Sequence, residues 1–221
     1  MAELLPLFPL GTVLYPGMVL PLHVFEERYR RLVKDLLEGP QPRSFGVVAI
    51  RHGRETGDDG VTALYETGCT AIIREVTPRS DGRYNLTTVG GDRFRLLSQD
   101  RSLPYLRGSV EFLPDQVGEP AAVPAVAPVR AAFRDYLDKV SERAGPAVTI
   151  NDVPDEPVLL SYVIAAAMII DLPERQQLLE ASSALDRLGA ERNLLRREIA
   201  MLRATGTRPA PDFRHTPYSS N

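Results

Sequence analysis

The stretch LPLFPLGTVLYPGMVLPLHVFEERYRRL, residues 5–32, decides how this chain folds, because it is as apolar as an export leader and yet is broken by four prolines. Each proline removes an N–H and disfavours helix at the residue before it, so no continuous helix passes Pro6, Pro9 and Pro16. Glu3 stands where a leader would carry a basic residue. The segment is therefore expected to fold rather than to be cleaved. It reads as a short strand around Leu4–Leu7, an irregular buried loop with a turn at Tyr15-Pro16-Gly17, and a second extended piece ending at Pro21.

Outward from this stretch the hydrophobic period changes. Phe25, Tyr29, Leu32, Val33, Leu36 and Leu37 share one face of a helix, which Gly39 and Pro40 end. From Ser44 to Pro114 the pattern is that of strands. Phe45–Ile50 and Cys69–Val76 are apolar runs, Tyr84-Leu86-Thr88 alternates, and Tyr105–Leu113 supplies another strand. Hairpin turns are expected at Ser80-Asp81-Gly82 and Gly90-Gly91-Asp92. About six strands with a single early helix predict a closed or nearly closed small barrel.

The composition shifts at PDQVGEPAAVPAVAP, residues 114–128, whose four prolines and lack of aromatic residues read as a linker. Beyond it the period is helical. Val129, Phe133, Tyr136, Leu137 and Val140 share a face; Asp155-Glu156-Pro157 opens a helix to about Ile170; Leu172-Pro173-Glu174 opens a third. A fourth runs from Ser183 to about Arg203, with Leu185, Leu188, Leu195, Ile199 and Leu202 as a bundle-facing stripe. The expected organisation is α+β: a barrel over 1–116, a linker over 117–127, a helical bundle over 128–204 and a disordered tail over 205–221.

A net charge of -3 on 221 residues argues against a general polyanion binder. The single cysteine, Cys69, excludes an intrachain disulfide and suits a reducing compartment, and no apolar run is long enough for a spanning helix. A cytoplasmic protein without membrane attachment is expected. Catalytic chemistry finds little footing. Neither lysine, Lys34 or Lys139, follows a glycine, so there is no phosphate-cradling loop. His23, His52 and His215 lack metal-ligand spacing. Cys69 sits in the apolar run GCTAII, where a thiol loses reactivity. Lys139 and Ser141 stand two apart on a helix and face away from each other. No catalytic residue, metal site or cofactor is expected. The mixed-charge stretch around Arg28, Arg30, Arg31 and Lys34 reads as a solvated helix face. What stands out is apolar supply in the loop: Val13, Leu14, Tyr15 and Met18 are the candidate contact residues for a partner.

PLFPLGTVLYPGMVLPLHVFEERYRRLV, residues 6–33, resembles the start of the substrate-binding domain of Lon proteases, with its PLFPL-like strand, PG turn, LPL segment and FExRY helix. VGGDRFRLLSQDRSLPYLRGSVEFLPD, residues 89–115, and LPERQQLLEASSALDRLGAERNLLRREI, residues 172–199, resemble later parts of the same domain. The resemblance implies a PUA-like pseudo-barrel followed by a helical bundle, in a stand-alone form without the ATPase and peptidase modules. It also implies a non-catalytic protein that binds unfolded or tagged polypeptide, for delivery to a separate protease. The alternative it raises is a PUA-like RNA-binding module, with Arg93, Arg95 and Arg107 as contacts; nucleic acid is not the expected partner.

Overall fold

A computed structural model describes residues 3–53, 61–119, 126–144, 153–204 and 219–220, and the chain divides into two compact units. The first comprises Met1–Pro114, Asp171–Leu179 and Thr216–Asn221; the second comprises Asp115–Ile170 and Glu180–His215.

The first unit opens with strand β1, Glu3–Leu10, longer than its sequence suggests. Its two halves have different neighbours. Glu3–Pro6 runs antiparallel to β6 (Arg107–Leu113), and Leu7–Leu10 runs parallel to β3 (Ser44–Gly53). Each half is thus paired along one side, the setting in which a strand tolerates proline, and Pro6 and Pro9 are accommodated there. Strand β2, Val19–Val24, continues through Pro21 and pairs antiparallel with β5 (Tyr84–Asp100). Along its other side the two-residue strand β7, Ser219–Ser220, pairs with Leu22 and His23. Strand β4, Val61–Pro78, pairs with both β3 and β5, which closes the ring β4-β3-β1-β6-β5.

Gly90-Gly91-Asp92 is not a hairpin turn. It lies inside the 17-residue β5, at the place where that strand passes from pairing with β2 to pairing with β6. Two glycines look like a turn in sequence, but here they admit another backbone: a Cβ at Gly90 would lie 2.0 Å from the Tyr15 carbonyl oxygen. Similarly, β6 begins at Arg107, and Tyr105 belongs to the preceding loop.

Helix α1, Glu27–Glu38, lays Tyr29, Leu32 and Val33 on the barrel core. The Phe8 ring stacks on Tyr29 at 4.1 Å between centroids and leans on Phe45 at 5.5 Å. Leu5, Leu7, Val48, Phe94 and Val110 form a second cluster. Helix α4, Leu172–Glu180, also belongs to this unit up to Leu179, although its sequence suggests a member of the bundle. Asp171 caps it by accepting from the Glu174 amide at 2.9 Å. Three hydrogen bonds then bind it to the barrel: Tyr15 Oη to the Arg175 carbonyl at 2.8 Å, Gln176 Nε2 to the Thr67 carbonyl at 2.9 Å, and Arg93 Nη1 to the Leu179 carbonyl at 2.8 Å.

The second unit is formed by helices α2 (Val126–Ala144), α3 (Pro157–Ala167) and α5 (Ala184–Ala204). The faces expected from sequence for α2 and α5 meet in its core, Val129, Phe133, Tyr136 and Val140 from the one and Leu185, Leu188, Leu195 and Ile199 from the other, joined by Leu160 and Ile164 of α3. Glu156 caps α3 by accepting from the Val158 and Leu159 amides. The helix stops at Ala167, short of Ile170, because Met168 turns extended. Residues that composition assigns to the linker are partly structural: the carbonyls of Gln116 and Val117 accept from the Ala184 and Leu185 amides, satisfying orphan donors at the start of α5. The rest of the linker, 120–125, and the tail except for Ser219–Ser220 lie outside the described residues.

Candidate functional site

The entry loop between β1 and β2 was the sequence candidate, and the structure buries most of it. Val13 and Leu14 are core residues and the Tyr15 side chain is 0% exposed, its hydroxyl spent on the Arg175 carbonyl. Met18 is half-buried against the same core. Gly17 turns the chain at a φ of 78°, in the left-handed region where glycine carries no Cβ penalty, and the Met18 amide closes the turn on the Tyr15 carbonyl at 3.0 Å. Two further bonds stitch the turn to β5: Gly17 N–H to the Gly90 carbonyl at 2.8 Å and Gly90 N–H to the Met18 carbonyl at 2.9 Å. Val13, Leu14 and Tyr15 therefore hold the loop down and offer no surface to another chain, while the neighbouring Val19 stands 58% exposed.

The arginines proposed for RNA are also occupied by the fold. Arg93 is 3% exposed and donates to the carbonyls of Leu179 and Pro114. Arg107 pairs with Asp100 at 2.6 Å, and exposed Arg95 lies 3.7 Å from Glu111. Cys69 is buried with its Sγ 3.5 Å from the carbonyls of Thr70 and Gly91. Lys139 lies beside Asp135 at 3.7 Å. Among the described residues no group of histidine, cysteine and carboxylate side chains could hold a metal ion, and no helix is long and apolar enough to cross a membrane.

A feature that sequence reasoning missed is a cleft of about 580 Å³ between helix α1 and the loop joining β5 to β6. One wall is Glu27, Arg28 and Arg31; the other is Arg101, Leu103 and Tyr105. Asp35 ties the two together, accepting from Arg31 Nε at 2.8 Å and from the Tyr105 hydroxyl at 3.0 Å. Burial, then the hydrogen bond to Asp35 and the Asp35 charge, holds the Tyr105 hydroxyl above its usual range. The far end of the loop is pinned by Asp100, which accepts from the Ser102 amide at 2.8 Å and from Arg107 Nη2. The Ser102 amide bond is the main reason the Asp100 carboxyl is held below the usual carboxylate range. The walls stand some seventy positions apart in sequence, at Asp35 and Tyr105, so no local motif announces the cleft.

Against known proteins, residues 4–197 match the family model of the ATP-dependent protease La (LON) substrate-binding domain. Among curated relatives, the chain is 30% identical over 202 residues to a Lon protease of Anaeromyxobacter dehalogenans, covering 90% of this chain and 24% of that one. It is 31% identical over 195 residues to a Lon protease of Paraburkholderia phytofirmans, covering 87% and 24%. The chain thus spans about a quarter of the length of these relatives. Among solved structures, a Lon N-terminal domain protein from Xanthomonas campestris superposes with a TM-score of 0.64 at 25% identity, covering 88% of this chain and 98% of that one. The N-terminal domain of a Mycobacterium avium complex Lon protease shares the fold at 0.61 and 16% identity, covering 90% and 98%. The match begins in β1 and ends inside α5, taking in the proline-broken entry, the ring of strands and the helices, and on that extent the chain belongs to the Lon substrate-binding domain family.

Proposed function

We propose that this chain recognises segments of other polypeptides for a Lon-type proteolytic system and cuts nothing itself. The observation that carries this reading is the family match over residues 4–197, which falls on the substrate-binding domain and not on the catalytic parts of the protease. The binding of unfolded or tagged segments, their delivery to a protease and a cytoplasmic location all belong to this proposal. Burial of Val13, Leu14 and Tyr15 moves the expected contact away from the entry loop. The RNA alternative is disfavoured by the same kind of fact, since Arg93 is enclosed and Arg107 is paired.

A binder of this kind orders a flexible partner and loses part of its contact energy to that ordering, so affinities near the micromolar range are expected rather than nanomolar ones. The test is a titration of the full chain with a chemically unfolded model protein and with the same protein in its native state. Saturable binding of the unfolded form, which remains intact in the mixture with and without ATP, supports the proposal. No saturable binding, or cleavage by the purified chain, overturns it.

A further inference from the structure

The cleft between α1 and the β5–β6 loop combines an apolar floor with a cationic rim. Pro9, Leu103 and Pro104 line it together with the enclosed rings of Tyr29 and Tyr105. Around it stand three arginines, Arg28, Arg31 and Arg101, with Glu27 in the lining and Glu26 and Asp35 paired to the first two, so Arg101 is the cation left in excess. The three are not equally engaged. Arg28 lies 4.6 Å above the Tyr29 ring and pairs with Glu26 at 2.9 Å, which fixes it as part of the wall. Arg31 uses its Nε on Asp35 and its side chain is 59% exposed, so among the described residues its terminal nitrogens keep donors for an incoming acceptor. Arg101 makes one long contact, Nη2 to Gln99 Oε1 at 3.4 Å, and has no carboxylate partner among the described residues.

Arg31 and the backbone that carries Arg101 are held before any ligand arrives. Asp35 fixes Arg31 and Tyr105 to each other across the cleft, and the Asp100–Ser102–Arg107 bonds fix the start of the loop that carries Arg101. A positioned guanidinium loses little freedom on meeting a carboxylate and offers it paired N–H donors, which makes such a site selective for planar anions. The apolar floor then selects what is attached to the anion.

We infer that this cleft binds a short acidic segment of polypeptide that carries an apolar neighbour, the carboxylate meeting Arg31 and Arg101 and the neighbour resting on Pro9, Leu103 and Pro104. This rests on the polypeptide-binding reading above and gives that reading a place and a sequence preference. The cleft volume of 580 Å³ lies in the range of sites that take a few residues rather than a folded surface. Nucleic acid fits it poorly. Single strands bind by stacking bases on open ring faces, and both tyrosines here are buried.

The test uses the full chain and fluorescein-labelled peptides of one sequence pattern, in which Asp and Glu flank Leu and Phe, beside the same peptide with Asn and Gln in their place. A single-stranded oligonucleotide is the third probe. The acidic peptide is expected to bind about five- to tenfold more tightly than its neutral copy at low salt, with the difference shrinking as salt rises. Arg101→Glu and Arg31→Glu, both at exposed positions, abolish the preference for the acidic peptide over its neutral copy. Arg95→Glu, an exposed arginine outside the cleft, preserves it. A preference that survives both cleft variants, or that Arg95→Glu removes equally, overturns the site. Tighter binding of the oligonucleotide that depends on Arg31 and Arg101 overturns the choice of ligand. If the two peptides bind equally well, the cleft proposal falls alone; if neither binds, the reading of function falls with it.

Discussion

Replacing Gly90 by alanine tests whether the proline-broken entry loop is a wall of the barrel. A Cβ at this position falls 2.0 Å from the Tyr15 carbonyl oxygen and 2.8 Å from its carbon, both backbone atoms that cannot rotate away. Favourable contact begins near about 3.5 Å, so loop and strand must separate by more than about 1 Å. Overpacking of this kind costs about 1–3 kcal/mol. The shift also strains the two hydrogen bonds that stitch the loop to β5, Gly17 N–H to Gly90 and Gly90 N–H to Met18, at about 1 kcal/mol each. Alanine stiffens the unfolded chain and offsets about 0.4–1 kcal/mol of this. The net expectation is a loss of about 2–4 kcal/mol. Urea unfolding followed by far-ultraviolet circular dichroism reads it as a lower midpoint at unchanged slope. An apolar dye reports the uncovering of Val13, Leu14 and Tyr15. Gly189→Ala is the control: a Cβ there meets nothing within 4 Å, and a helical glycine replaced by alanine should gain about 0.5–1 kcal/mol. If Gly90→Ala unfolds within about 0.5 kcal/mol of the parent while the control behaves as stated, the loop is not held against β5 as described.

Two further substitutions probe the polar interior. Glu191 on α5 is 0% exposed, its two carboxyl oxygens have no hydrogen-bond partner among the described residues, and burial pushes its carboxyl well up against the weaker pull of Arg187. The folded chain thus keeps a proton that the unfolded chain releases above about pH 4.3, so this residue lowers stability progressively as pH climbs from there through the raised native value. Glu191→Gln is expected to flatten that part of the stability profile, measured by urea midpoints across the pH range, and parallel profiles for parent and variant would contradict the assignment. Tyr15→Phe removes the hydroxyl bond to the Arg175 carbonyl and should cost about 1 kcal/mol, with faster amide exchange concentrated in α4; an unchanged α4 would show that Tyr15 does not hold it.

Much of the barrel was legible because its signals are local. Prolines at 6, 9 and 16 break any continuous helix through the entry whatever their surroundings, and the apolar spacing from Tyr29 to Leu37 admits one reading. The faces of α2 and α5 were legible for the same reason. What failed depended on distant partners. Gly90-Gly91 reads as a turn until the Tyr15 backbone is seen to need the space. The sequence around Leu172 describes a helix accurately, yet nothing in it says that Tyr15, Thr67 and Arg93 will claim that helix for the first unit. The candidate contacts Val13, Leu14 and Tyr15 were judged by apolar content, which a buried loop and an exposed patch share; Tyr15 is distinguished only by a hydroxyl partner 160 positions away.

The arginines show why residue type alone could not locate the site. Arg93, Arg101 and Arg187 carry identical head groups, and each has been placed in a different electrostatic setting. Arg93 is buried, donates to the Leu179 and Pro114 carbonyl oxygens, and serves as a strut to α4. Arg187 is sealed in the second unit, donating to Ser161 Oγ at 2.8 Å and Tyr162 Oη at 3.1 Å, while Tyr162 in turn donates to Asp115 at 2.5 Å. Removing Ser161 or Tyr162 takes an acceptor from this buried guanidinium. Arg101 alone of the three is offered one weak neutral acceptor and an open cleft. A guanidinium left with unused donors beside an apolar floor costs the fold little in water and becomes favourable only when an anion arrives. Availability of donors, not the count of arginines, therefore separates Arg101 from the struts of the fold, and it is the ground on which the acidic-peptide proposal stands.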